Sequence, residues 1–179
     1  PPGPDTLPDP GPKQPGWHLP FVGNALFTGR EGPLKALAQA LLHGGPAPTL
    51  VTQAVQGMGG VGKTQLAVEF AYRYGRYFRG VHWLDARDPG GLEAQVADCG
   101  RDMALPNWPD KQPDQVARTL NAWAETGPRL VVLDNLEEPR AAAEWLARLA
   151  GGAAARVLIT ARRSAWPREL GLAPLRLEV

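Results

Sequence analysis

The stretch LVTQAVQGMGGVGKTQLAVEFAYRY (50–74) decides the fold. Its centre, GMGGVGKT (57–64), fits the pattern G-x-x-x-x-G-K-[ST], with Gly57, Gly62, Lys63 and Thr64 at the fixed positions. The run LVTQAVQ before it is apolar and β-branched enough for a strand, and TQLAVEFAYRY after it has helical spacing. Strand, loop and helix in that order are the context in which this pattern holds phosphate. Glycine lets the backbone curl so that successive N–H groups point at phosphate oxygens. The helix N-terminus adds partial positive charge, Lys63 reaches the β- and γ-phosphates, and the Thr64 hydroxyl can ligate Mg²⁺. Gly59, Gly60, Val61 and Gln65 complete the expected phosphate-binding set.

The chain has 179 residues, about one domain's worth and enough for a sizeable core. Lys plus Arg number 19 and Asp plus Glu 18, a net charge of +1. That balance gives no strong field toward nucleic acid or an anionic membrane. Arg156, Arg162, Arg163 and Arg168 cluster in sequence and leave room for a local patch. The lone Cys99 excludes an internal disulfide, favours a cytosolic setting, and reads as a small buried residue. No stretch approaches the ~18 to 20 apolar residues of a membrane span. His18, His43 and His82 lack metal-ligand spacing.

Eight of the first 20 residues are proline and three are glycine. Composition therefore predicts a semi-rigid, disordered linker over 1–16 and an ordered domain over 17–179. With no initiating Met, the expectation is a fragment of a longer protein. Beyond the linker, helices and strands alternate. Helices are predicted over 29–44, 64–74, 92–104, 115–125 and 139–150, and strands over 49–56, 80–86, 129–134, 155–160 and 174–179. NWPDKQPD (107–114) reads as a loop. In the helix that follows the phosphate loop, Leu66, Phe70, Tyr74 and Phe78 recur at i+4 and predict a core-facing stripe. The alternation implies an α/β fold, a mostly parallel sheet with helices on both faces. Ligands bind such sheets outside the carboxyl ends of the strands. The phosphate loop, Asp134 and Thr160–Arg162 all fall on that rim.

LVVLDN (130–135) has the form of a Walker B strand, whose Asp134 can hold the Mg²⁺ that bridges the β- and γ-phosphates. RVLITAR (156–162) ends a strand with a polar residue and an arginine. Arg162 would lie beside the γ-phosphate if this strand neighbours the phosphate-loop strand. Register alone does not separate it from Arg163. In FTGRE (27–31), Arg30 either leans over a nucleotide or is a surface residue in a helix cap. The absence of N-K-x-D, the guanine-reading tetrad, tilts the base toward adenine.

These motifs in this order resemble the NB-ARC group of STAND NTPases, signal-transduction ATPases with numerous domains. FTGRE is similar to that family's hhGRE motif, GMGGVGKTQLA (57–67) to its phosphate loop, LVVLDN to its Walker B and RVLITAR to its sensor strand. The lead-in LPFVGNALFTGRE (19–31) is similar to bacterial members with downstream tetratricopeptide repeats. The resemblance implies a three-layer α/β/α sandwich around a five-stranded sheet of order 5-1-4-3-2. It also implies an ATP/ADP switch with Mg²⁺, self-associating in the full-length protein and joined to an upstream effector and a downstream sensor domain. Carried over by position, Arg30 contacts nucleotide, Phe27 and Thr28 sit near the adenine, and Arg162 senses the γ-phosphate.

Two departures from the family stand out. Asn135 occupies the place where members often carry a second acid, and an amide cannot serve as general base. Glu137 or Glu138 is the candidate substitute, and slow hydrolysis is expected. The chain also stops before the helical and winged-helix regions that lock ADP. Three other classes share the phosphate-loop pattern: an AAA- or helicase-like DNA-handling ATPase, a phosphate-loop small-molecule kinase, and a non-binding scaffold. The kinase would need an arginine-bearing lid, for which 107–114 is too short. Salt-dependent DNA binding would favour the motor.

Overall fold

The computed structural model describes residues 1–53, 61–125, 127–150 and 155–177. Five strands, β1 (Thr49–Gln53), β2 (Val81–Asp85), β3 (Arg129–Asp134), β4 (Ala155–Thr160) and β5 (Ala173–Leu177), alternate with five helices. These are α1 (Glu31–Leu42), α2 (Val61–Tyr74), α3 (Leu92–Asp102), α4 (Gln112–Glu125) and α5 (Pro139–Leu149). The strands form one sheet in the order β2-β3-β4-β1-β5, the expected 5-1-4-3-2 from the other edge, and every pairing is parallel. This is the fold of phosphate-loop NTPases.

The inner strands are buried on both faces because helices cover both, while β5 at the edge is largely exposed. Val51, Val81, Trp83, Leu130, Val132 and Leu158 pack with α1 and α2. Their neighbours Leu50, Leu84, Val131, Leu133, Val157 and Ile159 pack with α3, α4 and α5. The period of two within continuous apolar runs is what a doubly covered sheet requires. Leu66, Phe70, Tyr74 and Phe78 are all buried, as their spacing predicts, and so is Cys99. Burial pushes the Cys99 thiol well up, so it stays protonated. Helix α4 starts earlier than expected and takes in the end of the segment read as a loop.

Residues 1–16 depart from the linker expectation. The segment runs along α2, and its backbone is bonded at several points. Gly11 N–H donates to the Tyr72 carbonyl at 2.9 Å. The Tyr74 hydroxyl donates to Thr6 O at 2.9 Å, and the Arg73 guanidinium to Pro8 O at 2.8 Å. Proline carbonyls remain good acceptors although proline has no N–H, so a proline-rich strap can dock against donors. The strap then becomes a short edge of the sheet. His18 N–H donates to Val81 O at 2.9 Å, and Trp83 N–H donates to His18 O at 2.8 Å. Trp17 and Leu19 enter the core. Trp17 fits because residue 75 is glycine: a Cβ there would lie 2.5 Å from the indole.

Trp17→Ala should cost about 3–5 kcal/mol by urea unfolding, while Val22→Ala, on an exposed side chain, should change stability by less than about 0.5 kcal/mol. Buried His82 stacks on Trp123 and approaches the Arg129 guanidinium at 3.3 Å. Burial, with Arg129 and His18 adding to it, holds its pKa down to about 3. Only the unfolded chain can then protonate it as the pH falls below its ordinary value. Its contribution is complete above about pH 6.5 and is lost toward pH 3, at up to about 1.4 kcal/mol per pH unit. His82→Gln should flatten the acid limb of a stability–pH curve.

Candidate functional site

Gly57, Gly59 and Gly60 lie outside the described residues, as do 54–56 of the expected first strand. Val61 opens α2, and Gly62, Lys63, Thr64 and Gln65 follow in its first turns. Lys63 is buried at the sheet rim. Burial lowers its pKa, Glu137 and Asp134 pull it back up, and Arg162 opposes them. A buried ammonium among two acids and an arginine is an environment suited to a polyanion, which would replace water as its counter-charge.

Asp134 ends β3, and its carboxylate joins three elements. Thr64 Oγ1, from α2, donates to Oδ1 at 2.9 Å. Thr160 Oγ1, from the end of β4, donates to the same oxygen at 2.5 Å. Asn135 Nδ2 donates to Oδ2 at 3.1 Å. Asn135 has a positive φ of 59°, a region asparagine tolerates. That turn also aims its N–H at Thr160 Oγ1, at 2.9 Å. The amide thus positions Asp134 and its neighbour. Burial raises the Asp134 pKa, and the hydroxyl donors from Thr160 and Thr64 work against the rise.

The donor set fits magnesium. Mg²⁺ takes hard oxygens at about 2.05 Å in an octahedron, whose adjacent ligands lie about 2.9 Å apart. Thr64 Oγ1 and Asp134 Oδ1 already have that separation. Among the described residues no group of three or more His, Cys, Asp or Glu side chains forms a metal cage. One carboxylate and one hydroxyl would therefore hold Mg²⁺ only together with phosphate oxygens and water, its usual habit.

Glu137 is tied to the loop after β4. Its carboxylate accepts the N–H groups of Arg162, at 2.7 Å, and Arg163, at 3.0 Å. The Arg163 side chain folds back onto Glu137 O and Ala165 O. The Arg162 side chain is 75% exposed, only 3.8 Å from Glu137, and its charge acts on Lys63. The structure therefore brings Lys63, Thr64, Asp134 and Arg162 together and directs Arg163 elsewhere. No contact among the described residues joins Phe27, Thr28 or Arg30 to this group. Phe27 packs partly against the core, Thr28 is exposed, and Arg30 is the N-cap of α1 without a side-chain capping bond.

Thr64, Gln65, Asp134 and Asn135 line an open cleft of about 390 Å³ together with Asp85, Arg87, Gln95 and the strap residues His18 and Phe21. Sequence analysis passed over Asp85, although VHWLD ends in an acid as LVVLD does. It also left Thr160 without a partner, since the bond to Asp134 depends on strand order.

No protein-family model matches the chain. A nucleotide-binding leucine-rich repeat (NLR)-like protein of Hyaloscypha variabilis is 27% identical over 126 residues, covering 68% of this chain and 13% of that protein. Among solved structures, Cdc6p of Pyrobaculum aerophilum aligns over 87% of the chain at 14% identity and a TM-score of 0.58. Orc1 of Aeropyrum pernix, in complex with DNA, aligns over 88% at 18% identity and 0.59. The chain covers 47% of each of these two. It is similar in fold to both, and no helix among the described residues is long and apolar enough to cross a membrane.

Asp134→Asn keeps an acceptor for both threonines and removes a charge that burial disfavours. Its melting temperature should stay within about 4 °C of wild type, while the Mg²⁺-dependent gain in nucleotide affinity disappears. Calorimetric titration with and without Mg²⁺ measures both terms.

Proposed function

We propose that this chain is the ATP/ADP-binding domain of a STAND-type switch, one whose nucleotide state governs a larger multidomain protein and whose hydrolysis is slow. The observation that carries this reading is the Thr64–Asp134–Thr160 cluster beside buried Lys63. It assembles a magnesium corner and a phosphate-binding ammonium at the mouth of the G-x-x-x-x-G-K-T segment. The name of the Hyaloscypha relative supports nucleotide binding, and the four ordered motifs support the switch through the resemblance they carry. Effector and sensor partners, self-association and adenine selectivity belong to the proposal.

The bound nucleotide would supply the phosphoanhydride bond that is cleaved; the chain does the rest. Lys63 and the N-terminus of α2 would neutralise phosphate charge. Thr64 and Asp134 would hold Mg²⁺, which would supply further positive charge to the phosphates. Arg162, loosely paired at 3.8 Å with Glu137, can exchange that partner for a γ-phosphate, a stronger acceptor. Losing the γ-phosphate returns Arg162 to Glu137, which also accepts the N–H groups of the loop after β4. Presence or absence of one phosphate would thus be felt in that loop, an order change of the kind nucleotide switches use.

A DNA-handling ATPase is the second reading, favoured by the fold it shares with an Orc1 protein solved in complex with DNA. Binding that weakens steeply with salt would support it. Absence of DNA binding at low salt would leave the switch.

Nucleotide released from the purified protein should be ADP at about one per chain. GDP would overturn the base assignment, and failure to bind any nucleotide would overturn the reading. Lys63→Ala should weaken ATP and ADP at least about 100-fold, the loss of two charge-assisted phosphate contacts. Arg162→Ala should weaken ATP about tenfold and leave ADP within about twofold, by fluorescence titration.

A further inference from the structure

Among the described residues, none of the side chains that directly follow Asp134 is placed as a free proton acceptor. Asn135 is an amide, and Glu137 is engaged by two backbone N–H groups. Glu138 is the N-cap position of α5 and lines a separate groove with Arg140 and Glu144. One carboxylate remains on the cleft beside Asp134. Asp85 ends β2, and in the parallel β2–β3 pair it is the register partner of Asp134. Both residues line the cleft. The charge of Asp85 reaches Asp134 and contributes to its raised pKa.

Asp85 is held in place from behind. Its N–H donates to Gln95 Oε1 at 2.7 Å, and Gln95 Nε2 donates to its carbonyl at 2.7 Å. This pair of bonds from α3 fixes the peptide at the last position of an outer strand. The adjacent N–H, of Ala86, donates to Asp134 O at 2.7 Å. The backbone is therefore rigid, while the carboxylate faces the open cleft and is only lightly covered. Arg87 reaches it with Nη2 at 2.6 Å from Oδ2 and Nε at 3.1 Å from both oxygens. The Arg87 side chain is 73% exposed. A pair at such exposure is weak and screened by solvent, so the cover is easily removed.

We propose that Asp85 orients the water that attacks the γ-phosphate and accepts its proton, and that Arg87 holds Asp85 back until the pair opens. The water oxygen bonds to the γ-phosphorus as the bond from phosphorus to the β–γ bridging oxygen breaks. ADP leaves with that oxygen. The water proton passes to the Asp85 carboxylate and then to the released phosphate. Gln95 is the positioning residue. This inference rests on the ATP-binding reading above and adds the acid that Asn135 does not supply.

The test uses Asp85→Asn and Arg87→Ala beside wild type. ATP and ADP affinities come from calorimetry, turnover from phosphate release, and the nucleotide retained after incubation with Mg-ATP from chromatography. Asp85→Asn should bind ATP within about threefold of wild type, turn over at least about 100-fold more slowly, and retain ATP where wild type retains ADP. Arg87→Ala should raise turnover several-fold. In apo protein it should raise the Asp85 carboxyl pKa observed by NMR, because the Arg87 hydrogen bonds are the main influence lowering it. Turnover of Asp85→Asn within about threefold of wild type would overturn the inference while leaving ATP binding intact. So would wild type that binds ATP and never hydrolyses it. Wild type that fails to bind ATP would instead remove the reading beneath it.

Discussion

The rim of this sheet depends on one buried carboxylate. Asp134 accepts hydrogen bonds from Thr64 on α2, Thr160 on β4 and its own neighbour Asn135. A carboxylate buried without such donors would be costly and would take up a proton instead. With them it fixes where α2 begins relative to the ends of β3 and β4. The bond between Thr64 and Asp134 spans 70 residues of chain. It can form only because β4 is threaded between β1 and β3, placing the phosphate-loop strand one strand away from the Walker B strand. Topology and site chemistry are therefore a single constraint, and the hydroxyls that hold the acid in the apo protein are the groups that magnesium would meet.

Much of this was legible in the sequence because the signals were local and strong. LVVLD and RVLIT are continuous apolar runs closed by a polar residue, and both became central strands with that residue on the rim. The i+4 stripe from Leu66 to Phe78 became core. Other features needed the third dimension. Composition alone marks residues 1–16 as a linker. Composition does not register that proline carbonyls accept hydrogen bonds, or that Arg73 and Tyr74 on α2 offer donors to them. Asn135 gains a second role from the fold. As a letter it is a missing acid; in the fold its positive φ and two donors make it the residue that holds Asp134 and Thr160 together. Asp85 was invisible because its meaning comes from register with Asp134, and register is not written in either strand.

Likeness of fold carries less weight here than the chemistry at the rim. An NLR-like protein shares sequence with the chain, and a Cdc6p and an Orc1 protein share its fold at 14% and 18% identity. One scaffold supports many functions, and function is argued from the groups placed on it. The charge of this chain is nearly balanced, which gives no broad electrostatic footprint for a polyanion as long as DNA. What is concentrated at one place is short-range machinery: a buried lysine, an exposed arginine one loop away, and hydroxyl and carboxylate oxygens at magnesium spacing. That scale matches a triphosphate.

The strap gives the same cleft a second boundary. Residues 17–19 extend the sheet beyond β2, and Phe21, two residues on, packs edge-on against Trp83 at 5.0 Å between ring centroids. Trp83 lies two residues before Asp85 on the same strand. The Tyr72 hydroxyl, on α2, donates to Phe21 O at 2.5 Å. The strap therefore touches both the helix that follows the phosphate loop and the strand that carries the second carboxylate. Trp17 and Leu19 anchor this edge in the core, so packing as well as its two backbone bonds holds it beside the cleft.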